Sequence, residues 1–546
     1  FIINKYKLIN TIIIIMLKTF HVDYTSKQVP DLDIGIETNK NYGVLSLQVD
    51  GNDIECKTPI LFHIMLDVSG SMSDIVSHNR TKMQLLKHTI TNMIYYFAEN
   101  TSHVFISVKG FDDRIHNYIE PTLVSRKNLN ELLEKLDLIH PMQLTDIGLA
   151  LETLKTDMEK NVEDVSNEQH VGILLTDGYP TVGTVDVNKL IDLVTPNKSY
   201  HFIALGNEHN ANLMNKLGHL NSNTSNWFID DIEHTGNVYG EIIFNEINKL
   251  YKDNIITIQN GTIYDYNGGC FTGNLHIGNL SKETKKEYHI LVDDINECNI
   301  YIAGYVVDQN IPYTISASKN IPSVFNNIGN KLDDDNALFI IKQYFRLCVQ
   351  KILFMIQKDL EDNCSNDNLN RFHFPIPIKF ENHSYNFDEK LKLLKSKIIE
   401  FSDENNLQDD DFINGLLNDL NVAINSKGNK DQYKHIVARG DTQGKQTTFS
   451  TASQLEDDPI DFSKIRPPKL RRAPTSAYAT PSRIELMREM SATDSNDNND
   501  NNNDDILSIL TAKLPSPNFK NSINKHRLGT NSHTSPFMQS PPLCRQ

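Results

Sequence analysis

The stretch Leu61-Phe62-His63-Ile64-Met65-Leu66-Asp67-Val68-Ser69-Gly70-Ser71-Met72-Ser73 reads as an apolar strand that runs into a tight loop. The loop carries one carboxylate and two hydroxyls in the order Asp-x-Ser-x-Ser, a donor set of hard oxygens that suits a divalent cation such as Mg²⁺. The pattern predicts a metal without predicting an enzyme. Ser and Gly after a strand are also ordinary turn residues, so the surrounding sequence decides between a site and a turn.

Downstream, Met83, Leu86, Ile90, Met93, Ile94 and Phe97 recur at helical spacing and predict an amphipathic helix over 81–98. Residues 104–108 and 115–119 read as strands around Gly110-Phe111-Asp112-Asp113-Arg114, with Asp112 and Asp113 as turn residues. A helix over 128–138 follows. Thr145-Asp146 then precedes a helix to about residue 158, which Asp146 would cap. Residues 171–175 form a nearly all-apolar strand ending in Thr176-Asp177-Gly178, and two further strand–helix units occupy 200–220 and 227–251. Apolar strands alternating with amphipathic helices predict an α/β fold, a doubly wound Rossmann-like sheet covered on both faces. Ligands in such folds bind beyond the carboxyl ends of the strands, where both Asp67 and Asp177 fall. His63 lies within a core strand and is read as a buried structural histidine.

The pattern changes after residue 251. Short alternating strands separated by Asn, Gly and Asp, including one over 255–263, suggest a β-sandwich. Helical periodicity returns over 333–360, 387–401 and 411–424. Acidic residues 403–411 lack the glycine of a calcium loop and are read as a solvated turn. The expected organisation is an N-terminal extension (1–33), strands that could join the β-rich region (34–57), an α/β domain (58–252), a β-rich domain (253–325), a helical region (333–425) and a largely disordered tail (426–546). The tail holds a basic patch, Arg466-Pro467-Pro468-Lys469-Leu470-Arg471-Arg472, and Thr480-Pro481, Ser516-Pro517, Ser535-Pro536 and Ser540-Pro541, sites for proline-directed phosphorylation. It also holds Arg439-Gly440-Asp441, read as a chance match to a cell-attachment tripeptide.

A net charge of -17 argues against a nucleic-acid surface and against adsorption to anionic membranes. The six cysteines show no zinc spacing and no dense disulfide framework, which suggests a reducing, cytoplasmic setting. An apolar run over 12–17 follows Lys5 and Lys7 but has no small-residue cleavage site and is too short to span a bilayer. Residues 1–15 are therefore expected to be an upstream extension, with a degenerate secretion signal as the alternative. No Gly-x-x-x-x-Gly-Lys-Ser/Thr phosphate loop is present.

Asp67-x-Ser69-x-Ser71, then Thr145, then Asp177, in that order on an α/β background, resembles the von Willebrand factor type A domain over roughly residues 58–252. In that family the five side chains form a metal-ion-dependent adhesion site. The resemblance implies Ser69 and Ser71 as direct ligands of Mg²⁺, with Mn²⁺ or Ca²⁺ as substitutes, and Thr145 as a direct or water-mediated ligand. Asp67 and Asp177 would act mainly through waters and hydroxyls. A cation held by neutral groups stays electrophilic and is completed by an Asp or Glu of a protein partner. Tyr179, Pro180 and Thr181 would form the partner-binding rim. The order of regions also resembles eukaryotic-type proteins in which an A domain precedes an intein-like associated domain. Some of these carry a RING, which the cysteines here cannot build, or a U-box, and no U-box-like segment is read before the A domain. The expected function is thus a non-enzymatic Mg²⁺-dependent interaction module or scaffold. The alternatives are a substrate-recruiting subunit of a ubiquitin-ligase or ATPase complex, and a secreted adhesion protein.

Overall fold

A computed structural model describes residues 20–24, 41–49, 58–77, 80–160, 169–206, 208–229, 234–292, 297–320, 335–365, 387–429, 431–448 and 478–491. The N-terminal apolar run, the basic patch and three of the four Ser/Thr-Pro sites lie outside them. Strands β1 (Phe20–Tyr24) and β2 (Asn41–Gln48) precede an α/β unit. The unit begins with β3 (Ile60–Asp67), the hairpin β4 (Ile75–Ser77) and β5 (Arg80–Thr81), α1 (Lys82–Asn100), β6 (Val104–Phe111) and β7 (Ile115–Leu123). Next come α2 (Leu129–Asp137), α3 (Ile147–Glu159), β8 (Gln169–Thr176), α4 (Val187–Ile191) and β9 (Ser199–Leu205). It closes with α5 (Ala211–Gly218), β10 (Thr224–Ile229) and α6 (Thr235–Ile247).

Strand order is β10-β9-β8-β3-β6-β7, parallel throughout except for β7 at the edge. Every residue of β3 is buried, as a central strand covered on both faces requires. Helix α1 starts at a capping box, with Gln84 N–H donating to the Thr81 hydroxyl and Thr81 N–H to the Gln84 side chain. Its apolar stripe, Met83 to Phe97, is buried with α2 and α6 on one face of the sheet; α3, α4 and α5 cover the other. The chain leaves β3 for β6 on one side and later returns to β8 on the other. The crevice at this switch point opens between the ends of β3 and β8, which is where doubly wound folds place ligands.

The sequence reads residues 255–263 as one strand, but Asn260 adopts φ 58° and divides it into β11 (Lys249–Gln259) and β12 (Gly261–Asp265). Asn tolerates this left-handed conformation better than most side chains. The break sends the two strands into different sheets, β14-β11-β16-β17 and β13-β12-β15-β2-β1-β18. The remaining strands are β13 (Cys270–Thr272), β14 (Asn274–Ser281), β15 (Lys285–Val292), β16 (Asn299–Val306), β17 (Ile311–Ser316) and β18 (Ser318–Asn320). Leu45, Leu47, Ile256, Ile263, Ile290 and Ile302 fill the space between the sheets. Because β2 pairs with β15, the α/β unit is inserted into the chain of this β body. The outer face of the larger sheet packs on α7 (Asp335–Ser365), α8 (Phe387–Glu404) and α9 (Asp411–Asn425).

Part of the expected disordered tail is ordered. Two helices, α10 (Gln432–Lys445) and α11 (Pro481–Ser491), lie within it. Arg439-Gly440-Asp441 is a helical segment of α10, not a displayed loop: Arg439 pairs with Asp419 at 3.4 Å and Asp441 with His219 at 2.6 Å, and both side chains are buried. Leu486, Met487 and Met490 of α11 enter the α/β core beside α1 and α6. The approach depends on small residues, since a Cβ at Gly240 would meet the Met487 backbone nitrogen at 2.9 Å and one at Gly236 the Met490 carbonyl carbon at 2.6 Å. Gly240→Leu is therefore expected to undock α11 at a cost of about 1–3 kcal/mol. Hydrogen exchange should show faster exchange over 481–491 with β3 and β8 unchanged.

Candidate metal centre

Asp67 ends β3 fully buried, and its carboxylate is held from two sides. Oδ1 accepts the Ser69 N–H at 2.9 Å and Oδ2 accepts the Thr176 hydroxyl at 2.6 Å. A short 3₁₀ turn over Gly70–Ser73 then folds the two serines together, with Ser69 Oγ and Ser71 Oγ 3.1 Å apart. Ser71 Oγ donates to Asp177 Oδ1 at 2.8 Å, which joins the β3 loop to the end of β8. Thr145 arrives by a different route. Met142 N–H donates to Val68 O, and Gly70 lies so close to this segment that a Cβ there would sit 3.3 Å from the Met142 carbonyl oxygen. Two bonds then lock Thr145 to Thr181: Thr145 N–H donates to Thr181 Oγ1, and Thr181 N–H donates to Thr145 O, both at 2.9 Å.

The structure thus gathers Asp67, Ser69, Ser71 and Asp177 into one hydrogen-bonded cluster and sets buried Thr145 in the adjoining loop. Asp146 caps α3, accepting the Leu149 N–H at 2.9 Å. Asp112 accepts the Arg114 N–H at 2.8 Å and closes its turn. His63 bonds Ser107 at 3.2 Å and His170 at 2.9 Å inside the core. On the rim, Tyr179 is 51% exposed. Gly183 turns the loop at φ 72°, where a Cβ would fall 2.3 Å from the Asp146 carboxylate, so only glycine fits.

Lys82 is the member that the motif does not contain. Its Nζ lies 2.7 Å from Asp177 Oδ2 and 3.3 Å from Asp74 Oδ2, with the lysine side chain only 14% exposed. Burial alone would lower its pKa, but the Asp177 and Asp74 carboxylates more than reverse this and hold the ammonium above the usual lysine value. A sequence signal existed: a lysine in the first turn of α1 faces the unfavourable end of the helix dipole, and a nearby carboxylate resolves the conflict. Burial pushes the Asp67 carboxyl up to about 6, against the lowering effect of the Ser69 and Thr176 hydrogen bonds.

Two carboxylates and three hydroxyls make a hard-oxygen set that fits Mg²⁺ or a similar cation better than a soft metal. Among the described residues no group of three or more His, Cys, Asp or Glu could hold a metal by itself. The site therefore depends on its hydroxyls. A separate cavity of about 190 Å³ lies between the α/β unit and the β body, lined in part by Glu241, Glu287, Lys286 and Arg346. None of its lining residues belongs to the Asp67 loop, and its four carboxylates, two lysines and two arginines are balanced in number.

A family model of the von Willebrand factor type A domain matches residues 62–179, the segment that runs from β3 through Asp177. No curated protein matches the chain. Among solved structures, a von Willebrand factor type A protein from Catenulispora acidiphila aligns with TM-score 0.43 and 13% identity, covering 73% of this chain and 87% of that one. The ArnB paralog VWA2 from Sulfolobus acidocaldarius aligns with TM-score 0.42 and 12% identity over 78% of this chain and 97% of that one. Proximal thread matrix protein 1 from the mussel byssus, solved with a zinc-occupied MIDAS motif, aligns with TM-score 0.27 and 19% identity over 34% and 44%.

Proposed function

We propose that this chain, which carries a von Willebrand factor type A domain, is a Mg²⁺-dependent protein-interaction module that takes an Asp or Glu side chain from a partner. The observation that carries the reading is the single hydrogen-bonded cluster of Asp67, Ser69, Ser71 and Asp177 at the switch point of the sheet. When bound, the cation supplies an electrophilic position for a partner carboxylate. The protein's own residues prepare that position. Asp67 fixes the backbone of the serine loop through the Ser69 N–H, the Ser69 and Ser71 hydroxyls offer neutral oxygens, and Asp177 orients the Ser71 hydroxyl. Thr145 is held at the same crevice by its exchange with Thr181.

Affinity capture on the intact protein tests the reading. Proteins retained in Mg²⁺ should be released in EDTA and missing from an Asp67→Ala variant; an unchanged set would reject metal-gated recognition.

Lys82 gives a separate expectation. Its ammonium neutralises one of the two carboxylates that would balance a divalent cation, so it weakens metal binding. Lys82→Gln should tighten Mg²⁺ by about tenfold, ~1.4 kcal/mol, in isothermal titration calorimetry. Equal or weaker binding would show that the ammonium does not compete.

A further inference from the structure

We propose that the partner segment is an Asp or Glu flanked by large apolar side chains, recognised by an apolar collar around the metal centre. The proposal rests on the carboxylate-binding reading above and specifies its partner. Ile75 (67% exposed), Val76, Met142, Leu144, Tyr179 and Val185 (59%) make up half of the large hydrophobic side chains exposed among the described residues. The remainder are scattered singly between Leu123 and Ile399. Isolated exposed hydrophobics are ordinary, whereas several on converging loops mark an interaction surface.

Each loop is tied to a site residue. Ile75 and Val76 lie on β4, next to Asp74 and paired through Ile75 with Thr81, the residue before Lys82, whose Nζ contacts both Asp74 and Asp177. Met142 and Leu144 precede Thr145 on the segment packed against Gly70. Tyr179 and Val185 lie on the loop after Asp177, whose Thr181 bonds Thr145. The six side chains therefore stand on the three segments that carry or contact the site residues.

Charge selects the occupant. Lys82 Nζ contacts both Asp74 and Asp177, so a divalent cation set among Asp67, Asp74, Asp177 and Lys82 leaves no surplus positive charge for a second acid beyond the one carboxylate that the cation itself would take. A polyacidic segment would meet the repulsion of a chain with net charge -17. One acid among apolar neighbours satisfies the centre and covers the collar together.

Fluorescence anisotropy on the full chain tests this with three labelled peptides: Gly-Phe-Leu-Asp-Phe-Leu-Gly, Gly-Ser-Thr-Asp-Ser-Thr-Gly and Gly-Phe-Leu-Asn-Phe-Leu-Gly. In Mg²⁺ the first should bind at least about tenfold tighter than either other peptide, and EDTA should abolish the difference between Asp and Asn. A double variant, Ile75→Ser with Tyr179→Ser, should weaken the first peptide by about tenfold and leave calorimetric Mg²⁺ affinity unchanged. Equal affinity for the two Asp peptides would overturn the collar while leaving the metal reading intact. Equal affinity for Asp and Asn peptides in Mg²⁺, or no difference on adding EDTA, would instead overturn the metal reading. Binding of none of the three would overturn the proposal outright.

Discussion

Asp67→Ala is expected to lose about ten- to a hundredfold in Mg²⁺ affinity, the range for removing a group that orients metal ligands, while the α/β unit remains folded. The carboxylate accepts from Ser69 N–H and from the Thr176 hydroxyl, so its removal frees the serine loop. Its loss leaves two buried donors unsatisfied, a cost of about 1–3 kcal/mol each at most. That cost is offset in part because a carboxyl pushed up to about 6 by burial is itself unfavourable where it stands. Calorimetry with Mg²⁺ and a thermal melt followed by circular dichroism separate the two effects. Metal affinity within a few fold of the parent would remove Asp67 from the site.

Arg346→Met is expected to have the largest effect on stability without touching the metal centre. Arg346, on α7, is among the largest fully buried side chains. Its guanidinium donates to Gln443 O at 2.9 and 3.3 Å, to Glu287 O at 3.1 Å and to Gln343 Oε1 at 3.0 Å. One cation thus ties together α7, strand β15 and the C-terminal end of α10. Methionine preserves much of the volume but leaves these carbonyls without their charged donor. Hydrogen bonds to charged groups contribute about 1.5–3 kcal/mol each and are not additive, so the loss should be about 3–5 kcal/mol in urea denaturation. Arg346→Lys should restore little, since an ammonium cannot reproduce the planar fork. Mg²⁺ affinity should be unchanged in both variants.

The α/β architecture was legible because its signals are local. β3 is an apolar run, α1 carries its stripe at helical spacing, and the acidic loops follow strands. The gathering of Ser69, Ser71 and Asp177 followed from motif order and from the rule for strand ends. Lys82 left only an indirect sign, a cation at the unfavourable end of the helix dipole, and its partner Asp177 lies far along the sequence and is met only in the fold. The division at Asn260 was hidden because the flanking residues alternate as one strand would; a single left-handed residue redirects the chain. Helices α10 and α11 escaped notice because their segments are polar overall, and short helices of this kind owe their stability to docking. Asp441 on His219, and Met487 on Gly240, are contacts between residues remote in sequence.

The central claim is that a divalent cation sits among Ser69, Ser71, Thr145 and the two aspartates. The most direct measurement is an anomalous difference map from crystals grown with Mn²⁺, which substitutes for Mg²⁺ at oxygen sites. The account predicts one strong peak at bonding distance, about 2.0–2.3 Å, from Ser69 Oγ and Ser71 Oγ. A map with no peak in that crevice, or with the ion bound only elsewhere, would contradict it.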